Sequence, residues 1–177
     1  MPQSATTLLV YFSRPGENYF NGGRIDLAVG NTQVVADLIV DLVPMAVHRL
    51  VEADPYPRDY NSTVARNVAE QVRDARPPLA GPLPNLDAYD TILLGSPIWN
   101  VQPPMIMRTF TDAVDLTGKA VYPFTTHAMS GLGRALAFYR DAAPAARIGE
   151  GLAIRGEEAI RARPVVATWL RSIGLLV

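Results

Sequence analysis

A doubly wound α/β sandwich built on a five-stranded parallel sheet is predicted by two features of the chain. Short, nearly continuous apolar runs alternate with segments whose apolar residues recur at helical spacing. The loops leaving the first, third and fourth runs are polar and rich in glycine or aromatic residues, and the remaining connections are short. A single domain over residues 1–177 accommodates the pattern, because 177 residues with 49% hydrophobic side chains is near the size at which one core closes.

The first strand runs from Thr7 to Phe12, a stretch covered on both faces if its apolar character is to be satisfied. A helix then begins at Asn31, with Asn31 or Thr32 as its cap, and Pro44 punctuates its end after Val43. Met45 to Val51 reads as the second strand; His48 and Arg49 interrupt it as they would nearer a sheet edge. Asp54 to Tyr60 is a Pro-rich loop, and Ser62 to Arg76 forms the second helix, stopped by Pro77-Pro78.

Asp90 to Gly95 is the third strand, followed by the loop Ser96 to Pro104 and a helix from Met105 to Val114. Gly118-Lys119 turns the chain into the fourth strand, Ala120 to Phe124. After the loop Thr125 to Gly133 comes a helix from Arg134 to Ala142. A weak fifth strand, Ala146 to Ile154, is interrupted by Gly149 and Gly151, and the last helix, Glu157 to Ile173, breaks at Pro164.

Composition removes several chemistries. There is no cysteine, so there is no disulfide, no Cys-ligated zinc or iron–sulfur cluster and no thiol nucleophile, and two lone histidines argue against a metal site. Redox chemistry would have to be borrowed. Met1 to Thr7 lacks a basic region before a long apolar core, and no apolar run approaches the roughly 18 residues of a membrane span. The expectation is a soluble cytoplasmic protein. A formal charge of −1, without runs of Lys or Arg, gives no push towards nucleic acid.

Tyr11-Phe12-Ser13-Arg14 with Gly30-Asn31-Thr32, then Gly95-Ser96-Pro97-Ile98-Trp99, then Ser130-Gly131-Leu132-Gly133 occur in an order that resembles the flavodoxin family across nearly the whole chain. The resemblance implies strand order 2-1-3-4-5 and a cofactor, FMN, beyond the strand C-termini. By it, Ser13, Arg14, Asn31 and Thr32 would hold the phosphate. The bottom-up reading agrees, since a helix N-terminus presents unpaired N–H groups and partial positive charge to an anion. The plainer alternative is that Asn31 and Thr32 only cap the helix.

In the second loop, Ser96, Pro97 and Ile98 precede Trp99, a flat aromatic for an isoalloxazine, with Asn100 free to bond the ring edge. The alternative is that Trp99 packs under the third helix. The third loop offers Thr125, Thr126, His127 and Ser130, with Gly131 and Gly133 allowing close backbone approach. It lacks the tyrosine that flavodoxins often place there, leaving one ring face open to a substrate, or covered by another part of the protein or by a second subunit of a homodimer. His127, with an ordinary pKa near ~6.5, is the candidate catalytic group that donates a proton to an acceptor or polarises it. It could equally be a loop hydrogen-bonder.

The departure from the family pattern is an inserted loop over about 15–29. Its Asn18, Tyr19 and Phe20 form a candidate flap over cofactor or substrate. The expected function is an FMN-dependent oxidoreductase passing electrons from NAD(P)H to a small-molecule acceptor, quinone-like or nitroaromatic. The rivals are an electron carrier that docks a redox protein and a non-catalytic binding module of the same fold.

Overall fold

The computed structural model describes residues 6–177; the reading of Met1 to Ala5 as leaderless lies outside them. Its main sheet is parallel throughout. β1 (Thr7–Tyr11) is flanked by β4 (Ala46–Arg49) on one side and β5 (Thr91–Pro97) on the other, and β5 leads to β6 (Ala120–His127). The last position is filled twice, by β7 (Arg147–Ile148) and β8 (Leu152–Arg155), which pair with opposite ends of β6. This is the expected order 2-1-3-4-5.

Strand alternation feeds two cores. Leu8, Val10 and Phe12 face one side, with Ile106, Met107 and Phe110 of α3 (Met105–Ala113) and Tyr139 of α4 (Ala135–Ala142). Leu9 and Tyr11 face the other, with Val35 and Ile39 of α1 (Asn31–Leu42) and Trp169 of α5 (Arg163–Ser172). Leu9, Val10, Ile92 and Leu93 are completely buried, as parallel strands covered on both faces require. α2 (Tyr60–Val72) lies beside α3 and starts two residues before the expected Ser62.

Two expectations need correction, and one holds. The inserted segment is not an open loop but an antiparallel hairpin of β2 (Gly16–Phe20) and β3 (Gly23–Leu27), separate from the main sheet. Asn21 (φ 46) and Gly22 (φ 84) make its two-residue turn, both in the left-handed region that such turns demand. The fifth strand is split, as expected, across Gly149 and Gly151, where an added Cβ would strike the Tyr122 ring and Leu132. The last helix breaks at Ala162 rather than Pro164: a 3₁₀ turn, Gly156–Arg161, precedes α5, and Pro164 sits in the first turn of α5, where a missing N–H costs nothing. Among the described residues no helix is long and apolar enough to cross a membrane, and no cluster of His, Asp and Glu could hold a metal.

Candidate functional site

The C-terminal ends of β1, β5 and β6 open into a pocket lined by Asn31 and Thr32, by Pro97, Ile98 and Trp99, and by Thr126 and His127. All three sequence-predicted loops therefore meet at one place. The hairpin adds Asn18 and Tyr19, and Arg14, Tyr60, Ala128 and Gly156 complete the wall.

At the start of α1 the roles differ from the expected ones. Gly30, not Asn31 or Thr32, is the cap residue, and the cap acceptor comes from the strand end: Gln33 N–H donates to Ser13 Oγ at 3.1 Å. Ser13 is buried and occupied in this way. A Cβ at Gly30 would lie 2.3 Å from Ser13 Oγ, so only glycine lets the strand end reach the helix. Ser13 takes only the Gln33 N–H, and among the described residues the N–H groups of Asn31 and Thr32 and the Asn31 amide have no hydrogen-bond partner. Thr32 and Thr126 join their hydroxyls at 2.7 Å, tying α1 to β6.

Arg14 is committed elsewhere. Its guanidinium donates to the carbonyls of Pro57 (2.8 Å), Arg58 (2.7 Å), Asp59 (3.3 Å) and Glu17 (2.8 Å), and it is buried. It lines the pocket but chiefly fastens the hairpin root to the loop before α2. Burial lowers its pKa from the ordinary arginine value, with Asp59 and Glu17 opposing, so it stays charged.

Trp99 is half-buried, set edge-on to Tyr56 (centroids 5.0 Å apart, 79°) and to Phe12 (5.6 Å, 89°). Tyr56 is itself anchored, donating to the buried Glu70 at 2.6 Å with the Arg66 guanidinium 4.0 Å above its ring. Burial and the Glu70 bond push its phenol up, so it remains a donor. Trp99 thus both packs and lines the pocket; the two readings from sequence are compatible.

Several expected residues stand behind the wall. Ser96 is buried and donates to the Pro97 carbonyl at 2.9 Å. Asn100 gives its amide to Gln71 Oε1 at 2.8 Å. Thr125 bonds the Gly131 carbonyl at 3.2 Å, and Ser130 is exposed. Gly133 (φ 51) is needed where the third loop meets the second, since a Cβ there would fall 2.3 Å from the Val101 carbonyl oxygen. Phe20 is on the exposed part of the hairpin.

His127 ends β6 in the pocket wall, half-buried, with its Nδ1 buried and unbonded. Burial, and next the Arg155 guanidinium, hold its pKa below the ordinary value against the pull of Glu157 and Glu158. At neutral pH the ring is therefore uncharged and acts as a hydrogen-bonding group.

Two contributors escaped the sequence reading. Tyr60 reaches the pocket from the first residue of α2, its N–H donating to Glu17 Oε2 at 2.8 Å and its ring under the Arg24 guanidinium at 4.5 Å. Glu157 accepts the Asn21 N–H of the hairpin tip at 2.9 Å. Neither belongs to a motif, because each depends on a long-range contact with the hairpin.

Unpaired N–H groups at a helix start, two hydroxyls, an apolar wall with a flat indole and a neutral imidazole fit a phosphate joined to a planar ring. The sequence profile of the family described as Flavodoxin matches residues 25–173. No curated protein matches the chain in sequence. A crystal structure of a provisionally designated flavoprotein from Bacteroides uniformis superposes with TM-score 0.77 at 28% identity, covering 96% of this chain and 99% of that one. A flavoprotein of Lactobacillus acidophilus in complex with FMN gives 0.64 at 19%, covering 90% and 99%. A Fusobacterium nucleatum flavodoxin bound to flavin mononucleotide gives 0.52 at 13%, covering 94% and 96%.

Proposed function

The chain belongs to the flavodoxin family, and from that premise we propose that it binds FMN in this pocket and passes reducing equivalents from NAD(P)H to a quinone-like or nitroaromatic acceptor. The observation that carries the reading is the α1 start. Ser13 takes the Gln33 N–H, while Asn31 and Thr32, whose N–H groups have no partner among the described residues, line the same pocket as Trp99. The FMN complexes of the Lactobacillus and Fusobacterium proteins support the choice of ligand.

When bound, FMN supplies a ring that takes up two electrons and returns them to an acceptor. The chain does the rest. Asn31, Thr32 and Thr126 would hold the phosphate with neutral donors, and Pro97, Ile98 and Trp99 would give the ring an apolar wall that excludes water. His127, uncharged, bonds the ring or the acceptor through its imidazole rather than delivering a proton to it at neutral pH.

The hairpin favours a small acceptor over a docked redox protein. Asn18 and Tyr19 add a side to the pocket, whereas a protein partner needs an open, broad surface of some hundreds of Å² on each side. A net charge of −1 also lacks the acidic field that steers carriers to their partners.

The test is to load the protein with FMN, follow steady-state NAD(P)H oxidation with a quinone, and repeat it after deleting Pro15 to Ala28. The proposal expects turnover in the intact protein and its loss in the deletion. FMN binding without turnover, but with reduction by a flavodoxin reductase, would identify a carrier. Failure to bind FMN would leave a non-catalytic module.

A further inference from the structure

The turn that carries Trp99 holds an unfavourable backbone. Trp99 and Gln102 pair across it, Trp99 N–H donating to Gln102 O at 2.9 Å and Gln102 N–H returning to Trp99 O at 3.4 Å. The two central residues, Asn100 (φ 48) and Val101 (φ 64), both occupy the left-handed region. Asparagine tolerates that region, and glycine is the usual second residue of such a turn. A β-branched valine there is a true outlier, held only if its surroundings over-determine it.

Two clasps do so. On one side the Arg134 N–H donates to Val101 O at 2.7 Å. On the other, Gln71, near the end of α2, uses both ends of its amide: Nε2 donates to Trp99 O at 3.0 Å, and Oε1 accepts from Asn100 Nδ2 at 2.8 Å. Gln71 does not line the pocket, yet it grips the two residues that precede the strained one.

From this geometry we infer that Gln71 is a positioning residue: its side-chain amide holds the strained 99–102 turn, and through it the Trp99 indole, as the wall against which a planar ring binds. The inference rests on the reading that the pocket takes FMN, and it deepens it. Because the clasp opposes the cost of Val101, the two residues are energetically coupled. Removing the strain should make the clasp dispensable, which would not hold if Gln71 merely steadied α2.

The experiment is a double-mutant cycle of Gln71→Ala and Val101→Gly, each protein checked for folding by circular dichroism. It reads the FMN dissociation constant and the indole N–H resonance of Trp99 in the apoprotein, assigned with Trp99→Phe. Losing two hydrogen bonds predicts that Gln71→Ala weakens FMN about tenfold and shifts or broadens the Trp99 resonance. Val101→Gly alone should change little. Adding Gln71→Ala to Val101→Gly should then cost less than about twofold. Gln71→Glu, which keeps an acceptor for Asn100 but loses the donor to Trp99, should fall between wild type and Gln71→Ala. The inference is overturned if Gln71→Ala leaves the Trp99 resonance unmoved, or if its effect is undiminished in the Val101→Gly background. Failure of the wild-type protein to bind FMN would remove the functional reading alone, because the apoprotein resonance still judges Gln71.

Discussion

The two walls of the pocket are made by different physics. The sheet-end wall grows out of β1, β5 and β6, whose residues are almost wholly buried and whose ladders tie together distant parts of the chain. The hairpin wall is a two-stranded ribbon that shares no ladder with that sheet, and most of its residues from Phe20 to Val29 are exposed. An isolated hairpin is marginal in water, so it must borrow order from polar contacts. Its root is fastened by the Arg14 guanidinium, by Tyr60 N–H on Glu17 and by the Arg58–Asp26 pair. Its outer half is tied by Arg24 to Asn61 and, at the turn, by Asn21 N–H to Glu157. A pocket built this way has one wall held by sheet ladders and core packing and one held mainly by polar side-chain bonds, and the first carries the Trp99 indole.

The sharpest way to break the comparison is on the sheet-end side. Gly95 lies under Phe124, where an added Cβ would sit 2.0 Å from the ring, so Gly95→Ala should cost about 3 kcal/mol of global stability. Thermal or urea unfolding would show both walls lost together. Next comes Arg14→Ala, which orphans the carbonyls of Pro57, Arg58, Asp59 and Glu17 and should cost about 2 kcal/mol. Here hydrogen exchange should separate the walls: amides of Gly16–Leu27 approach free-chain rates while those of Thr91–Pro97 stay protected. Protection that fell equally in both would show that they are one cooperative unit.

Glu157→Ala should be milder, about 1 kcal/mol confined to the tip. It predicts exchange at Asn21 and Gly22 several-fold faster, with the root amides unchanged. Smallest is the effect of pH on His127. Its folded pKa is depressed, so the unfolded chain binds a proton more readily; the contribution to stability is present above the unfolded value near ~6.5 and is lost as pH falls below it towards the folded one. Tm should therefore drop more steeply between pH 7 and 5 in the wild type than in His127→Gln. His48, depressed by burial, leaves a residual slope in both.

The sheet-end wall was legible in the sequence; of the hairpin wall, the place of Asn18 and Tyr19 at the pocket was legible and the strand pairing was not. Continuous apolar runs such as Leu8-Leu9-Val10 and Ile92-Leu93-Leu94, short and bounded by polar turns, read as buried strands, and the polar loops that follow them fall where a parallel sheet puts its ligands. The hairpin strands, Gly-Glu-Asn-Tyr-Phe and Gly-Arg-Ile-Asp-Leu, show no sustained apolar alternation, because no core receives them. One signal was available: Asn21-Gly22 is the dipeptide most typical of a two-residue hairpin turn. The roles of Ser13 and Arg14 were half legible. Their position at the end of β1 identified the site, but which of them caps, clasps or faces a ligand depends on the carbonyls of Pro57 to Asp59, more than forty residues away. Tyr60, Gln71 and Glu157 were hidden for the same reason.

The central claim is that both walls close on one flavin phosphate and ring. Its most direct test is titration of the apoprotein with FMN, followed by flavin absorbance and amide hydrogen exchange together. The account predicts a saturable 1:1 shift of the flavin spectrum, with new protection at Asn31 and Thr32 on one wall and at Asn18 and Tyr19 on the other. An unshifted flavin spectrum, or protection that spares the start of α1, would contradict it.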